Sequence, residues 1–142
     1  IDACDPAQSL EEYGRLYNWY AVDDARGLCP SGWHVPTDGE WTVMTDFLGG
    51  EGVAGGQMKT TYGWNFGGNG TNSSGFSGLP GGYRGFTNGY FDFAGNYGSW
   101  WSSSPYLSFA WLRNLNSNEE NVSRGTLNQR LGFSVRCVRD AE

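Results

Sequence analysis

Glycine constrains this chain more than any other residue, because it fills 23 of the 142 positions. That share is too high for a helical protein, and the strict triplet period of collagen is missing. The chain also carries seven Trp, eight Tyr and eight Phe, which a disordered low-complexity segment would lack. We therefore predict a single domain over residues 1–142, in which loops and short strands are held by aromatic anchors.

Charge and hydropathy exclude two classes of partner. The formal net charge is −6 and no run of Lys or Arg occurs, so we expect no nucleic-acid binding. No apolar run approaches membrane-spanning length, so we expect no membrane insertion. Residues 106–139 hold five arginines against two glutamates. This local excess favours an anionic partner, although solvated arginines are the commoner explanation.

Cysteine and histidine usage limits the covalent and metal chemistry. Cys4, Cys29 and Cys137 allow at most one disulfide, and the sequence leaves open a Cys29–Cys137 bridge or reduced, buried thiols. His34 is the only histidine, so the cysteines have no zinc pattern. Without a GxSxG motif, His34 is better explained as a structural residue that donates to a backbone carbonyl. We predict that the protein is not an enzyme.

Two adjacent carboxylate pairs raise the question of calcium. These pairs are Asp23/Asp24 and Glu119/Glu120, and nearby Asn and backbone oxygens could complete a coordination shell. No EF-hand spacing supports such a site. We therefore predict no cofactor, with a structural Ca²⁺ as the alternative.

The clearest helix signal follows Pro36. Thr37 and Glu40 form a capping box, and Gly49-Gly50 supplies the stop. One face of this helix is predicted to be apolar and to pack in the core, with the residues Trp41, Met44, Phe47 and Leu48. Before it, residues 1–12 are expected to be a polar approach, in which Asp5-Pro6 marks either a turn or the start of a short helix. Residues 15–25 are expected to be a strand running into a short helix. After it, residues 51–98 read as glycine-rich loops with a hairpin turn at Asn88-Gly89.

The last third of the chain, residues 98–140, contains two segments patterned as strands. Alternation puts two sets of side chains on opposite faces of the first strand, Phe109, Trp111, Arg113 and Leu115 against Ala110, Leu112 and Asn114. In the second strand the two sets are Phe133, Val135 and Cys137 against Ser134, Arg136 and Val138. Between them, large apolar residues lie in a polar segment without a core-like period. They are either a contact surface or core residues of irregular strands, and the pattern leaves both open.

Six sequence pieces occur in a specific order: YGRLYNWYAV, GLCPSGWHVPTDGEW, DFLGG, LPGGYRG, WWSSSP and GFSVRCVRD. Together they resemble the Fibrobacter succinogenes major paralogous domain, found in secreted or surface proteins of Bacteroidetes and their phages. The resemblance covers roughly residues 13–140. It implies an α+β, C-type lectin-like fold with two helices, small twisted antiparallel sheets and long glycine-rich loops. It also implies an extracellular location, on a cell surface or a phage virion.

The pieces WWSSSP, AW-x-RNLN, V-x-R and GFSVRCVRD also resemble the variable region of diversity-generating retroelement targets, in which adenine-directed mutagenesis rewrites chosen codons. That resemblance implies that residues 98–140 form a variable ligand-binding region. The positions it marks as diversified are Tyr106, Leu107, Ser108, Phe109, Leu112, Ser117, Ser123, Gly125, Thr126, Leu127 and Leu131. Gln129 lies among them but, like Glu119 and Glu120, is not reachable from an Asn codon by adenine changes, so these three are either framework or doubtful members of the set. The expected scaffold residues are Trp111, Arg113, Asn114, Phe133, Val135 and Cys137.

The leading functional hypothesis is therefore a recognition module with a diversified face for a protein or glycan ligand. The alternative is a fixed carbohydrate- or protein-binding module of a secreted or surface protein. In either case a few exposed aromatic side chains are expected to supply most of the affinity.

Overall fold

The computed structural model describes residues 5–142 and is an α+β structure. Its helices are α1 (Pro6–Tyr13), α2 (Trp19–Val22), α3 (Asp38–Phe47) and α4 (Glu51–Met58), with a 3₁₀ turn at Asn65–Gly67. Its strands are β1 (Trp33–His34), β2 (Tyr83–Arg84), β3 (Phe91–Asp92), β4 (Tyr97–Tyr106), β5 (Phe109–Asn116), β6 (Val122–Asn128) and β7 (Val138–Arg139). They form three small antiparallel sheets, β1-β7, β2-β3 and β4-β5-β6. The expectation of two helices is wrong, since residues 5–142 contain four.

Helix α3 begins as the sequence predicts. The Thr37 hydroxyl accepts from the Glu40 amide at 3.1 Å, and the Glu40 carboxylate accepts from the Thr37 amide at 2.8 Å. Trp41 is buried, and Met44 and Leu48 pack against the same core. Phe47 is an error in the predicted face, because its side chain is 87% exposed.

Helix α1 begins at Pro6, where the sequence allows a turn or a short helix, whereas α4 lies where the sequence predicts loops. Asp5 caps α1 by accepting from the amide of Ala7 at 2.9 Å, within the predicted polar approach. Helix α4 has the glycine-rich sequence EGVAGGQM, which has low intrinsic helix propensity. A side chain at Gly55 would clash with the carbonyl oxygens of Glu120 and Asn121, and the Gly56 amide donates to Glu120 O at 3.0 Å. Close packing on the β5–β6 turn therefore explains why residue 55 is a glycine.

The β4-β5-β6 sheet carries a hydrophobic cluster on each face. The first cluster lies under α3 and α4 and comprises Trp41, Ala54, Met58, Trp64, Phe76, Trp100, Leu115 and Val122. The second lies on the α2 side and comprises Trp19, Trp101, Ala110, Leu112 and Phe133. The two faces predicted for β5 are thus confirmed, because Leu115 joins one cluster and Leu112 the other.

Two features of the C-terminal region differ from expectation. The polar middle of the last third contains strand β6, where turns and loops are predicted. Residues 133 and 134 make only isolated bridges, to Tyr17 and Trp100, before the two-residue strand β7. The Cys29–Cys137 disulfide, which the sequence left open, is present. Cys4 lies outside the described residues.

Candidate ligand-binding face

Strands β4 and β5 end in a tight hairpin whose tip carries large apolar side chains. Tyr106 is 51% exposed, Leu107 86% and Phe109 40%, and Leu127 on the neighbouring strand β6 is 45% exposed. Trp111 is half-buried, and its ring meets that of Tyr106 edge to face at 5.7 Å. We call these five residues the tip surface. Leu127 pairs with Ala110 in the sheet, so its side chain leaves the face opposite Phe109 and Trp111. Apolar side chains this exposed are common singly, but a group of them at one end of a sheet indicates an interaction site.

The turn at the hairpin tip has an unusual backbone. Leu107 and Ser108 are the two residues that link the strands, and Leu107 has a φ of 56°. A left-handed backbone costs a non-glycine residue roughly 1–2 kcal/mol, so glycine or asparagine would suit this position better. The chain nevertheless places its most exposed tip side chain here. The strain is local, and it projects the leucine into solvent.

Gln129 holds the backbone of the turn from behind. Its side chain is 8% exposed, and its Nε2 donates to the carbonyl oxygens of Phe109 at 2.9 Å and Leu107 at 3.3 Å. The Gln129 carbonyl accepts from the Trp19 amide at 2.9 Å, which ties it to α2. All of these contacts on the turn are to backbone atoms. The tip can therefore change its side chains without losing this support.

Arg124 connects the tip surface to α3. Its guanidinium lies 3.8 Å from the centre of the Trp111 ring and donates to Asp38 Oδ2 at 2.7 Å. Arg113, only 1% exposed, donates to Asp38 Oδ1 at 2.7 Å and to the Thr42 hydroxyl at 2.9 Å. Burial raises the pKa of Asp38, but the hydrogen bonds from Arg124 and Arg113 outweigh it, and the net shift is downward.

Asp38 also offsets the repulsion between two positive charges within the sheet. Arg113 on β5 and Arg124 on β6 are directly opposite cross-strand partners, so their positive charges share one face. Like charges in that position are destabilising. One carboxylate at the start of α3 binds both guanidinium groups, which fixes β5 and β6 against the helix.

The candidate positions fall into three groups by burial. Six are exposed, Tyr106, Leu107, Ser108, Phe109, Ser123 and Leu127. Three are half-buried, Gly125, Thr126 and Leu131, and Leu131 packs against the second cluster. Leu112 and Ser117 are buried, at 3% and 4% exposure, so their placement on an exposed face is wrong.

The two misplaced residues have clear physical roles. Leu112 lies opposite Trp101 in the sheet register and belongs to the second hydrophobic cluster, whose members cover that face of β5. Ser117 follows β5, and its amide donates to Asn96 O at 2.9 Å. Gly68 packs so closely on the Ser117 backbone that a side chain there would clash. Burial leaves neither side chain accessible to a ligand.

Sequence reasoning missed two residues of the face. Trp111 was assigned to the scaffold and Arg124 to no site, yet Trp111 packs on Tyr106 and Arg124 packs on Trp111. Strand alternation carries the signal, because Trp111 is two residues from Phe109 and Arg124 is two from Thr126, the cross-strand partner of Trp111. Residues that alternation places on the same face as an exposed strand residue should therefore be included in a predicted binding site.

His34 has carboxylate partners instead of the predicted carbonyl. Its Nδ1 lies 2.6 Å from Asp140 Oδ1 and its Nε2 2.9 Å from Glu40 Oε1. Hydrogen bonds to Asp140 and then to Glu40 raise the pKa of the His34 imidazole. The three side chains join β1, the α3 cap and the chain after β7, which is an arrangement that fixes the fold.

Within residues 5–142, no group of three or more His, Cys, Asp or Glu side chains is placed to hold a metal ion. Of the carboxylate pairs considered for calcium, Asp24 is engaged by Arg26 at 2.7 Å. No helix of these residues is long and apolar enough to cross a membrane.

Comparison with known proteins complements this geometry. Neither the curated proteins nor the solved structures contain a match to the chain. Among protein families, the Fibrobacter succinogenes major domain matches residues 3–139, which is nearly the whole length. The family expected from the six sequence pieces is thereby confirmed, and the chain belongs to the Fibrobacter succinogenes major domain family.

Proposed function

We propose that this protein is a ligand-binding module of C-type lectin-like fold, and that the tip surface is its binding face. The observation that carries the proposal is the contrast between exposed side chains and a fixed backbone at the hairpin tip. Tyr106, Leu107, Phe109 and Leu127 are 40% exposed or more, whereas Gln129, Arg113 and both hydrophobic clusters lock the strands behind them.

We further propose that the exposed positions are diversified, as in diversity-generating retroelement targets. A diversified face requires positions where arbitrary side chains change stability by only about 0.5 kcal/mol each, which is typical of exposed sites. Tyr106, Leu107, Ser108, Phe109 and Leu127 meet that condition. Leu112 and Ser117 do not meet it, so we exclude them from the proposed set.

An extracellular location, on a cell surface or phage virion, accompanies this proposal. The Cys29–Cys137 bridge supports it, because disulfides persist mainly in oxidising compartments. The ligand would be a protein or glycan displayed on a target surface. Tyrosine, phenylalanine and tryptophan at the tip suit either, since aromatic side chains supply large contact areas with little loss of conformational entropy.

Two experiments test these statements separately. For binding, glycan and protein arrays are probed, with and without Ca²⁺, by the wild type, a Tyr106→Ser/Phe109→Ser variant and a Tyr90→Ser control. Tyr90 is 68% exposed and lies outside the tip surface. The proposal predicts that the double variant loses wild-type binding and the control keeps it. Equal binding by all three proteins would place the ligand elsewhere, and dependence on Ca²⁺ would favour a fixed lectin.

For diversification, the flanking DNA is sequenced. The proposal predicts a nearby reverse transcriptase gene and a near-copy of the region encoding residues 98–140. Adenines in that copy should coincide with the variable codons of the tip, including those for Tyr106 and Phe109. At the codon for Arg113, the copy and the gene should not differ at any adenine. Without such a copy, diversification is refuted and the binding role stands alone.

A further inference from the structure

A surface pocket of about 430 Å³ lies apart from the tip surface, between the segment entering α2 and the β2–β3 hairpin. Two arginines and two aromatic residues line it, Arg84, Arg130, Tyr20 and Phe86, and glycines line much of the rest. Its volume falls within the roughly 300–1,000 Å³ typical of small-molecule sites. None of its lining residues belongs to the predicted diversified set.

The pocket is positively charged in an acidic protein. The chain carries a net charge of −6, yet no residue lining the pocket is acidic. No carboxylate of residues 5–142 forms an ion pair with Arg84 or Arg130, whereas Arg26, Arg113, Arg124 and Arg139 all have such partners. Two guanidinium groups in one concavity repel each other unless an anion joins them, so the pocket is complementary to a negative charge.

The arginines are held in place by contacts that leave their donors available. Arg84 Nε donates to Gly89 O at 3.1 Å, and its guanidinium lies 5.4 Å from the Phe91 ring. The Arg130 guanidinium lies 4.8 Å from the Phe86 ring. Stacking on an aromatic ring orients a guanidinium while its N–H groups remain free for hydrogen bonds to a carboxylate.

The aromatic residues narrow the ligand class. Tyr20 is 55% exposed and Phe86 37%, so each presents ring surface at the pocket. Arginine forks bind planar carboxylates bidentately, and exposed aromatic rings pack on the apolar face of a sugar ring. A compact ligand that offers both features is an acidic monosaccharide.

We propose that this pocket binds a uronic or sialic acid unit of a glycan, with its carboxylate between Arg84 and Arg130. None of its lining residues is among the proposed diversified positions, although Arg130 and Gly132 lie within residues 98–140, and the site is independent of the ligand proposed for the tip surface. It would give the domain a fixed glycan contact beside a replaceable recognition face.

The test is an NMR titration of ¹⁵N-labelled protein with D-glucuronate and, as the uncharged match, D-glucose. The proposal predicts that glucuronate moves the backbone amide signals of Gly85, Gly89 and Gly132, all of which line the pocket, and that glucose does not. Arg84→Gln and Arg130→Gln should each weaken glucuronate binding by about tenfold to a hundredfold. The control Arg139→Gln removes the same charge from an exposed site and should leave the affinity unchanged.

Two further anions test whether the pocket recognises the sugar acid or only a negative charge. N-acetylglutamate offers a peptide-like carboxylate and inorganic phosphate a plain anion, both at the same ionic strength. The proposal is overturned if glucuronate leaves the three glycine amides unmoved, or if either of these two further anions moves them as strongly. It is also overturned if Arg130→Gln binds glucuronate like the wild type. Because Arg84 also braces the turn through Gly89, Arg130→Gln is the variant that separates ligand binding from local folding.

Discussion

Replacing Asp38 by asparagine should destabilise the domain by about 3–5 kcal/mol, because it leaves a buried arginine without a counter-charge. Arg113 is 1% exposed and Asp38 16%, so water cannot solvate the stranded guanidinium. The substitution keeps the size and shape of the side chain, which isolates the effect of charge. A domain of ordinary stability, about 5–15 kcal/mol, would stay folded but become marginal.

Arg124→Gln is the matched control. Both substitutions break the pair between Arg124 and Asp38, but only the change at Asp38 leaves Arg113 unpaired. Arg124 is 37% exposed, so its ion pair contributes at most about 1 kcal/mol, and its contact with the Trp111 ring about the same. We therefore expect a loss of about 1–2 kcal/mol for Arg124→Gln.

Urea unfolding followed by tryptophan fluorescence measures both variants, since the chain has seven tryptophans. The dependence on pH gives a second readout. The pKa of Asp38 is lowered, so its contribution is present above the unfolded value near 3.8 and is lost as the pH falls through the lower folded value. This part of the acid sensitivity should vanish in Asp38→Asn. If Asp38→Asn is no less stable than Arg124→Gln, the buried-charge argument is refuted.

Three further predictions address other parts of the fold. Removing the Cys29–Cys137 bridge, which spans a sequence separation of 108, should lower the unfolding free energy by about 4.7 kcal/mol in the chain-entropy account, measured by urea unfolding of the Ser/Ser variant. The pKa of the His34 imidazole, measured by NMR, should lie above 6.5. Its ion pairs are exposed and should stabilise the fold by less than about 1 kcal/mol. That stabilisation should be full below pH 6.5 and disappear as the pH rises through the raised pKa. Gly55→Ala should destabilise by about 1–3 kcal/mol through overpacking, whereas Gly52→Ala, in the same helix but facing open space, should stabilise by up to about 1 kcal/mol.

Each of these has a contradicting result. An unchanged unfolding midpoint without the disulfide would show that the bridge does not constrain the unfolded chain. A pKa at or below 6.5 for the single histidine would show that the carboxylates do not hold its proton. Equal effects of alanine at Gly55 and Gly52 would show that close packing on the β5–β6 turn does not govern α4.

The parts of the fold that could be predicted are those set by local chemistry. The start of α3 follows from Thr37 and Glu40, whose side chains satisfy amides within the same turn. The two faces of β5 follow from strand alternation, which needs no tertiary information. Helix α4 could not be predicted, because its glycines oppose helix formation, and the packing of Gly55 against residues 120–121 is visible only in three dimensions. Phe47 was misassigned because the buried stripe of α3 runs through Trp41, Thr45 and Leu48, and Phe47 lies about 100° around the helix from Leu48, in solvent.

The candidate site was predictable to a similar degree. The exposed hairpin residues, such as Tyr106 and Phe109, follow from large side chains in a polar segment. Leu112 was misplaced because codon reachability carries no information about burial, whereas its alternation with Phe109 already put it on the opposite face. Codon reachability set Gln129 apart from the diversified positions, but its contacts with the turn backbone require the three-dimensional arrangement.

The account rests on a replaceable tip over a fixed sheet, and a comparison of two unfolding free energies tests it most directly. One protein carries the tip substitutions Tyr106→Thr, Leu107→Asn, Phe109→Thr and Leu127→Thr together, and the other carries Leu112→Ala alone. Threonine suits strands and asparagine suits a left-handed turn, so the fourfold variant should lose only about 2 kcal/mol or less. Leu112→Ala should lose about 2.7–5 kcal/mol, as buried leucines do. A fourfold variant less stable than Leu112→Ala would contradict the account.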